Sequence, residues 1–440
     1  MLEQMKPSGI SWVGDIPVVW QSSKIKYSFN VINGSTPESS DLDCWDGSIN
    51  WITPADMSNT GTISNGERTL TQYGYHSCGT TILPVGSIVI SSRAPIGKIN
   101  ITTEKLCTNQ GCKSLVRSAN NKYFYYLMLA GQDQLVLLGR GTTFLELGTH
   151  DLNNFEIIIP QYSEQQAIAD FLDKQCAKMD SIISDIEKQI EVLQSYKKSL
   201  ITETVTKGLD KSVPMKDSGI EWIGEIPEHW DMKRLKYLLE NCNDNMKVGP
   251  FGSSLIGNDY TNEGKWIYNQ RTVLDNNFDT NDTYISEAKY KEMLGFKVNA
   301  GDFLITTRGT IGKVAIVPEN AAEGILHPCI IKFRIDKELM MASLLQLIFN
   351  ESDFIKDQFV LMSNATTIEV IYSYSLKDIV LPVIPKEEQH RIYQYLFEKC
   401  CIIDGVLRDK QSQLVTIQQH KKSLIYEYVT GKKRVAEVKK

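Results

Sequence analysis

Hydrophobic and polar residues follow two different patterns along the chain, and both patterns occur twice in the same order. Short apolar runs bounded by Gly, Asn, Asp, Ser and Thr predict buried strands, and they lie at 81–91, 155–160, 301–307 and 378–385. Longer apolar stretches at 122–138 and 337–359 predict helices. Each set of runs therefore predicts a compact α/β or α+β domain.

The second pattern is a spacing of apolar residues at alternating steps of four and three. It runs through 164–206 and again through 388–430, with Lys410 interrupting the second copy. Such a spacing is typical of helices that pair along an apolar seam, so we expect two long, coiled-coil-like helices packed on each other, most simply antiparallel. The alternative is that each helix packs only on its own domain. The predicted pairing residues are Leu172, Met179, Ile183, Ile186, Ile190, Leu193, Leu200, Leu396, Ile403, Leu407, Leu414, Ile417 and Leu424.

The chain is an internal duplication. Residues 6–27 and 216–237 are identical at 11 of 22 positions, and 164–206 and 388–430 at 17 of 43. Between these blocks, 83–101 matches 298–316. We therefore predict two tandem-repeated globular domains separated by the two long helices, with pseudo-two-fold symmetry. The predicted boundaries are 1–160 and 211–385 for the domains, 161–210 for the first helix, and 386–440 for the second helix and a basic tail.

Composition and charge narrow the function classes. The 440 residues are 42% hydrophobic, enough for real cores, and the net charge is −6, with −2 in 1–163 and −6 in 211–385. This net negative charge argues against a protein that coats nucleic acid through an overall basic surface. It is compatible with a local basic patch that binds DNA. Nine cysteines without a CxxC pair fit reduced thiols in a cytoplasmic protein. No apolar run approaches 18 residues, so we expect no membrane contact.

The sequence contains no recognisable set of catalytic residues. It has no P-loop, no GxGxxG after a strand, no HExxH and no Cys/His cluster. We therefore expect no catalytic residue, no metal and no cofactor on this chain. Two other classes stay open at this point: an enzyme whose motifs are not recognisable, and a scaffold that binds proteins or glycans through its duplicated domains.

A polar loop recurs in both copies, as SSRAPIGK (91–98) and TTRGTIGK (306–313). Each loop follows a strand and carries an arginine and a lysine five residues apart, Arg93 with Lys98 and Arg308 with Lys313. Such a loop can offer hydroxyls and cations to phosphates or an arginine fork to guanine; the alternative is a tight turn with solvated charges. Other polar loops supply further DNA-binding candidates, each of which could equally be plain loop structure: Ser35, Thr36, Arg140, Thr142, Ser253, Arg271 and Thr366.

Taken together, these motifs resemble the specificity subunit of type I restriction–modification systems. The resemblance rests on SGIxWxGxIPxxW before each domain, the SSRAPIGK and TTRGTIGK loops, GPFGSSL (249–255), and EQxxIxxxL followed by KKSLIxExVT in each helix. It covers nearly the whole chain. It implies that each globular part is a target recognition domain that reads one half of a bipartite DNA target, and that the helices set the spacer between the halves.

The resemblance also implies partners. Double-stranded DNA is the ligand, and two modification (methyltransferase) subunits dock on one chain and methylate N6 of adenine. Restriction subunits, which are motor nucleases, join for ATP-dependent cleavage. S-adenosylmethionine, ATP and Mg²⁺ then belong to the partners, and this chain is noncatalytic by itself.

Overall fold

The computed structural model describes residues 4–93, 95–118, 121–141, 145–221, 223–251, 254–362 and 370–435. The chain forms two compact units. The first unit contains 1–187 together with 412–440, and the second contains 188–411. Each unit is therefore completed by a part of both long helices.

The described residues of the first unit form twelve strands and five α-helices, the last of which continues into the second unit. Its strands are β1 Met5–Pro7, β2 Asp15–Pro17, β3 Gln21–Lys24, β4 Asn30–Asn33, β5 Trp45–Ile52, β6 Thr60–Ile63, β7 Arg68–Leu70, β8 Ile88–Ser91, β9 Ile99–Thr102, β10 Leu106–Thr108, β11 Cys112–Val116 and β12 Glu156–Ile159. Its helices are α1 Gln72–Ser77, α2 Lys122–Ala130, α3 Gln132–Leu137, α4 Thr149–Asn154 and the long α5 Tyr162–Lys207.

The second unit begins and ends with the same order of elements and differs in the middle, where the helices Gln270–Leu274 and Glu287–Glu292 flank the strand Tyr284–Ile285. Its strands are β13 Met215–Asp217, β14 Glu225–Pro227, β15 Asp231–Arg234, β16 Met246–Val248, β17 Tyr260–Thr261, β18 Lys265–Tyr268, β19 Tyr284–Ile285, β20 Phe303–Thr306, β21 Val314–Ile316, β22 Gly324–Leu326, β23 Ile330–Phe333 and β24 Val380–Val383. Its helices are α6 Gln270–Leu274, α7 Glu287–Glu292, α8 Ala342–Glu351, α9 Asp353–Met362, α10 Ser373–Asp378 and the long α11 Lys386–Val429, which continues into the first unit.

The main sheets of the two units share a strand order. The first unit has β4-β11-β8-β9-β6 and the second has β16-β23-β20-β21, with all neighbours antiparallel except β6 and β9. The central strands β8 and β20 are buried along their whole length. This burial explains why their sequences are continuous apolar runs rather than alternating ones.

Two predicted helices are broken in the structure. The stretch 122–138 forms α2 and α3, which meet at Gly131, and 337–359 contributes α8 and α9, which meet at Ser352. A Cβ on Gly131 would lie 3.0 Å from the Phe155 ring, so a larger residue at this turn would have to displace that ring slightly. Ser352 is fully buried and its hydroxyl donates to the Ile348 carbonyl. The breaks therefore coincide with a closely packed glycine and a buried serine, which the apolar pattern does not predict.

The long helices run antiparallel in each unit. In the first unit, Lys421 Nζ of α11 lies 2.5 Å from Asp180 Oδ1 of α5, and the rings of Tyr428 and Phe171 are 4.4 Å apart. Residue numbers thus rise along α11 as they fall along α5.

In the second unit, Lys197 Nζ of α5 lies 2.9 Å from Asp404 Oδ1 of α11. Asp180 with Lys421 and Asp404 with Lys197 are the same two positions of the internal repeat. The predicted fold class, two repeated domains with long antiparallel helices, is confirmed. All of the predicted pairing residues named above are buried or half-buried, although which of them touch each other stays a prediction.

A tryptophan fixes each domain to the helix that follows it. Trp20 and Trp230, which are equivalent in the repeat, have no exposed surface. Their indole N–H groups donate to carboxylates in the first turn of each long helix, Trp20 to Glu164 at 2.8 Å and Trp230 to Glu388 at 3.2 Å. These tryptophans therefore pack in the core. Among the described residues, no helix is long and apolar enough to cross a membrane.

Candidate nucleic-acid interface

The repeated polar loop closes by the same hydrogen bonds in both units. Ser91, at the end of β8, accepts a hydrogen bond from the Lys98 amide at 2.8 Å, and its hydroxyl donates to the Pro95 carbonyl at 2.7 Å. Thr306, at the end of β20, accepts from the Lys313 amide at 3.1 Å. These hydroxyls therefore hold the turn, which explains why both copies retain a hydroxyl residue there.

The two lysines of these loops point into the protein. Lys98 Nζ donates to the Pro54 and Met57 carbonyls, each at 2.8 Å. Lys313 Nζ donates to the Asn350 carbonyl at 2.6 Å, and burial lowers its pKa. Because both amines already bind main-chain oxygens, this geometry favours a role in holding the loop over one in contacting phosphate.

The two arginines of the loops are exposed. Arg93 forms an ion pair with Glu146 at 2.9 Å, in which the side chains are 47% and 37% exposed. An ion pair this accessible contributes only about 0–1 kcal/mol. The Arg93 guanidinium can therefore exchange Glu146 for another acceptor, such as a phosphate or a guanine edge, at little cost.

In the first unit, four loops that are distant in sequence meet at one end of the main sheet. The Ser35 amide donates to the Thr108 carbonyl at 2.9 Å, and the Ser92 amide donates to the Gly111 carbonyl at 2.7 Å. The Thr36 hydroxyl donates to the exposed Gln110 side chain. These contacts join loops 34–37, 92–98 and 109–111, and the Arg93–Glu146 pair adds loop 139–148.

Arg140 lies in the fourth of these loops. Its guanidinium is 2.9 Å from Asp151 Oδ1 and its side chain is 78% exposed. Its backbone pairs with Glu146, the residue that also binds Arg93. The structure thus brings Ser35, Thr36, Arg93 and Arg140 to the same end of the sheet, whereas Thr142, a further candidate of this loop, lies outside the described residues.

The second unit has the corresponding arrangement. The Thr307 amide donates to the Cys329 carbonyl at 3.1 Å, as Ser92 donates to Gly111 in the first unit. The Gln270 side chain donates to the Arg308 carbonyl at 2.8 Å, which places α6 beside the Arg308 loop. Arg271 on α6 is 77% exposed and lies 3.4 Å from Asp275 and 3.7 Å from Asp282. It borders a cavity of about 240 Å³, while Ser253 and Thr366 lie outside the described residues.

A buried lysine lies beneath the loops of the first unit. Lys113 is only 5% exposed, and its Nζ donates to Asn33 Oδ1 at 3.1 Å and Thr149 Oγ1 at 3.0 Å. Burial lowers the pKa of Lys113; the nearby Glu146 opposes this effect and Arg93 adds to it.

Sequence reasoning missed Lys113, Glu146 and Gln110 as members of this surface. Lys113 lies within a strand, and no local signal distinguishes Glu146 or Gln110 from other polar loop residues. Only the loop contacts bring them together. Among the described residues, no group of three or more His, Cys, Asp or Glu side chains is arranged to hold a metal ion.

Two α/β units with the same loop arrangement, each completed by long antiparallel helices, define a duplicated protein with two equivalent loop surfaces. The family model for the type I restriction modification DNA specificity domain matches the chain twice, over residues 17–192 and 227–399. The chain belongs to this family.

Known proteins are similar over all or part of the chain. The type I restriction enzyme MjaIX specificity subunit of Methanocaldococcus jannaschii is 27% identical over 464 residues, covering 97% of this chain and 96% of the relative. The EcoR124I/EcoR124II specificity subunit of Escherichia coli is 27% identical over 170 residues, or 37% of this chain and 42% of the relative. A solved structure described as the basis of complex assembly and conformational transition of the type I R-M system has a TM-score of 0.67 at 14% identity. It covers 94% of this chain and 98% of its own, and supports the fold.

Proposed function

We propose that this chain is the DNA-specificity subunit of a type I restriction–modification complex, and that each unit reads one half of a bipartite DNA target. The observation that carries the proposal is the repeated loop surface. In both units an exposed arginine, Arg93 or Arg308, lies at the same end of the main sheet, held by the same hydrogen bonds. Arginine at such a position suits bidentate contact with guanine or with phosphate.

The residues around the two arginines differ between the units, although the loops close in the same way. Arg93 faces Glu146, while the Arg308 loop is bounded by Gln270 and α6. Different surroundings on a common framework suit the recognition of two different half-sites. The chemistry then belongs to the partners: modification subunits with S-adenosylmethionine for adenine-N6 methylation, and restriction subunits with ATP and Mg²⁺ for cleavage.

The test is to express Arg93→Ala and Arg308→Ala separately with the modification subunit of the same system, and to sequence the methylated adenine motifs. Each variant should relax one half-site only, because a lost bidentate base contact costs about 1–3 kcal/mol of discrimination. Lys105→Ala serves as control. Lys105 is exposed and lies three residues after β9. The end of β9 is at the opposite end of the main sheet from loop 92–98. Equal relaxation of both half-sites by either arginine variant would contradict separate recognition by the two units.

We further propose that the long helices set the gap between the half-sites. Deleting one heptad from each helix at equivalent positions shortens both by about 10 Å, since a helix rises about 1.5 Å per residue. This distance corresponds to about 3 base pairs. The motif should keep both half-sites and change its gap. An active complex with an unchanged gap rules out the helices as the element that sets it.

A further inference from the structure

A lysine–tyrosine pair is repeated at the surface of both units. Lys26–Tyr27 and Lys236–Tyr237 are identical positions of the repeat, and each pair ends a short 3-10 helix, Ile25–Tyr27 or Leu235–Tyr237. The apolar residue that begins each turn, Ile25 or Leu235, is completely buried. Tyr27 and Tyr237, by contrast, are 74% and 62% exposed.

Packing does not account for these tyrosines. Each ring has its neighbouring lysine as a cationic contact, with Lys26 Nζ and Lys236 Nζ both 5.2 Å from the ring centre. At an exposed site such a contact is worth only about 0.5–1 kcal/mol. A side chain that leaves most of its apolar surface in water contributes little to folding, so the presence of the tyrosine in both units requires another reason.

The pairs lie next to the candidate nucleic-acid interface. In the first unit, α4 begins at Thr149, which contacts Asn33 and Lys113 beneath the loops, and ends at Asn154, which accepts a hydrogen bond from Lys26 Nζ at 3.0 Å. The five helical steps between Thr149 and Asn154 span about 8 Å. In the second unit α10 has the same position, and Asp378 at its end lies 3.7 Å from Lys236 Nζ.

We propose that Lys26–Tyr27 and Lys236–Tyr237 bind the phosphate backbone beside the two half-sites and fix each unit on the duplex without reading bases. The proposal rests on the DNA-specificity function proposed above. Lysine and tyrosine side chains both donate hydrogen bonds to phosphate, and such contacts set register rather than sequence preference. The backbone is the same at both half-sites whereas the bases differ, so a phosphate contact is the kind of feature that both units share.

Charge supports DNA over a protein partner at these positions. Lysine is depleted in protein–protein interfaces, whereas each pair has a second cation two residues earlier, Lys24 or Arg234. In the second unit Arg234 and Lys236 share one carboxylate, Asp378, at 3.1 and 3.7 Å. Each group therefore has two cations beside one carboxylate, Glu156 opposite Lys24 in the first unit and Asp378 in the second, in a chain that is acidic overall.

The test uses the complex assembled from the full chain and its modification subunits. Its affinity for a duplex with the target and for a scrambled duplex is measured over a range of salt concentrations. The double variant Lys26→Gln/Lys236→Gln should weaken both duplexes by the same factor. It should also reduce the slope of log affinity against log salt by about 1.8, since each phosphate contact contributes about 0.9. The methylated motif should stay the same.

Tyr27→Phe/Tyr237→Phe, which removes two neutral donors, should weaken both duplexes without changing the salt slope. Lys105→Gln is the matched control and should change neither quantity. An unchanged slope in the double lysine variant, with target preference intact, overturns this proposal and leaves the proposed function standing. Failure of the unaltered complex to prefer any sequence overturns the function itself. Loss of assembly with the modification subunits in the absence of DNA, seen by sedimentation, would instead assign the pairs to a protein interface.

Discussion

Gly34 and Gly249 are equivalent residues at which a strand of the main sheet passes under a loop of the candidate interface. Gly34 follows β4, and a Cβ added there would lie 2.1 Å from the Asn109 carbonyl oxygen and 2.3 Å from that of Thr108. Gly249 follows β16, and its Cβ would lie 2.1 Å from the His327 carbonyl oxygen. Substitution by alanine should therefore displace loop 109–111 in the first unit or loop 327–329 in the second.

The size of the effect follows from these distances. A carbon and an oxygen without a bond between them approach to about 3.2 Å, so the loop must move by about 1 Å, and overpacking of this kind costs about 1–3 kcal/mol. A domain with a typical stability of about 5–15 kcal/mol stays folded after such a loss. The moved loop carries Gln110 and contacts Ser35 and Thr36. The Gly34→Ala variant should therefore lose affinity for its target while its domain stays folded.

The assay measures the affinity of the assembled complex for four duplexes: the target, the target with one base pair changed in the first or in the second half-site, and the target with both changes. In the unaltered complex each change should cost about 1–3 kcal/mol, or about 5- to 150-fold. Gly34→Ala should bind the target more weakly by a similar factor and should lose little more when its own half-site is changed. Its response to a change in the other half-site should stay normal, and Gly249→Ala should show the reverse pattern.

Gly79→Ala is the control, because a Cβ at Gly79 meets nothing within 4 Å. The Arg93→Ala variant identifies the half-site that the first unit reads. If Gly34→Ala and Gly249→Ala both reduce the loss of affinity caused by a change in the same half-site, the assignment of one loop surface to each half-site is wrong. If Gly34→Ala lowers the melting temperature but leaves all four affinities unchanged, the loops do not contact bases.

Two further predictions concern titratable groups. Burial lowers the pKa of His327, whose Nδ1 accepts the Cys329 amide at 3.1 Å. The unfolded chain therefore binds this proton at a higher pH than the folded chain, and stability should fall as the pH drops from the ordinary histidine pKa of about 6.5 towards the folded value. His327→Gln should make the fall in melting temperature between about pH 7.5 and 5.5 shallower; equal slopes in the two proteins would exclude His327 as its source. Burial also raises the pKa of Cys107 to about 11 and that of Cys112 to about 12, so a maleimide at about pH 8 should label the exposed Cys242 and Cys401 first. Peptide mass spectrometry checks the order, and equally fast labelling of Cys112 would mean that the first unit opens readily.

The sequence predicts the duplication, the fold class and the long helices because these features depend on local patterns. Apolar spacing specifies a helix face, and a repeat specifies that two segments fold alike.

The candidate interface is less predictable from sequence, because its side chains are directed by residues far away along the chain. Lys98 and Arg93 look equally available in SSRAPIGK. Carbonyls 41 and 44 residues away bind the Lys98 amine, and Glu146, 53 positions along the chain, binds the Arg93 guanidinium. Neither of these long-range contacts can be inferred from the local spacing of residues. The break at Gly131 is missed for the same reason, since the close neighbour of this glycine is the Phe155 ring, 24 residues along the chain.

The duplication itself separates residues retained for folding from residues retained for contact. In a pair such as Ser91 and Thr306, or Gly34 and Gly249, both members have a role inside their unit, as a hydrogen-bond acceptor or as a point of close backbone approach. Such pairs would be retained in both copies whatever the protein bound. Both members of the pairs Arg93 and Arg308 and of Tyr27 and Tyr237 are exposed, and the fold places little demand on them. Since burial and main-chain hydrogen bonds do not explain their retention, we propose that a ligand common to both units does: a duplex read at two half-sites offers phosphates to both tyrosines and phosphate or guanine acceptors to both arginines.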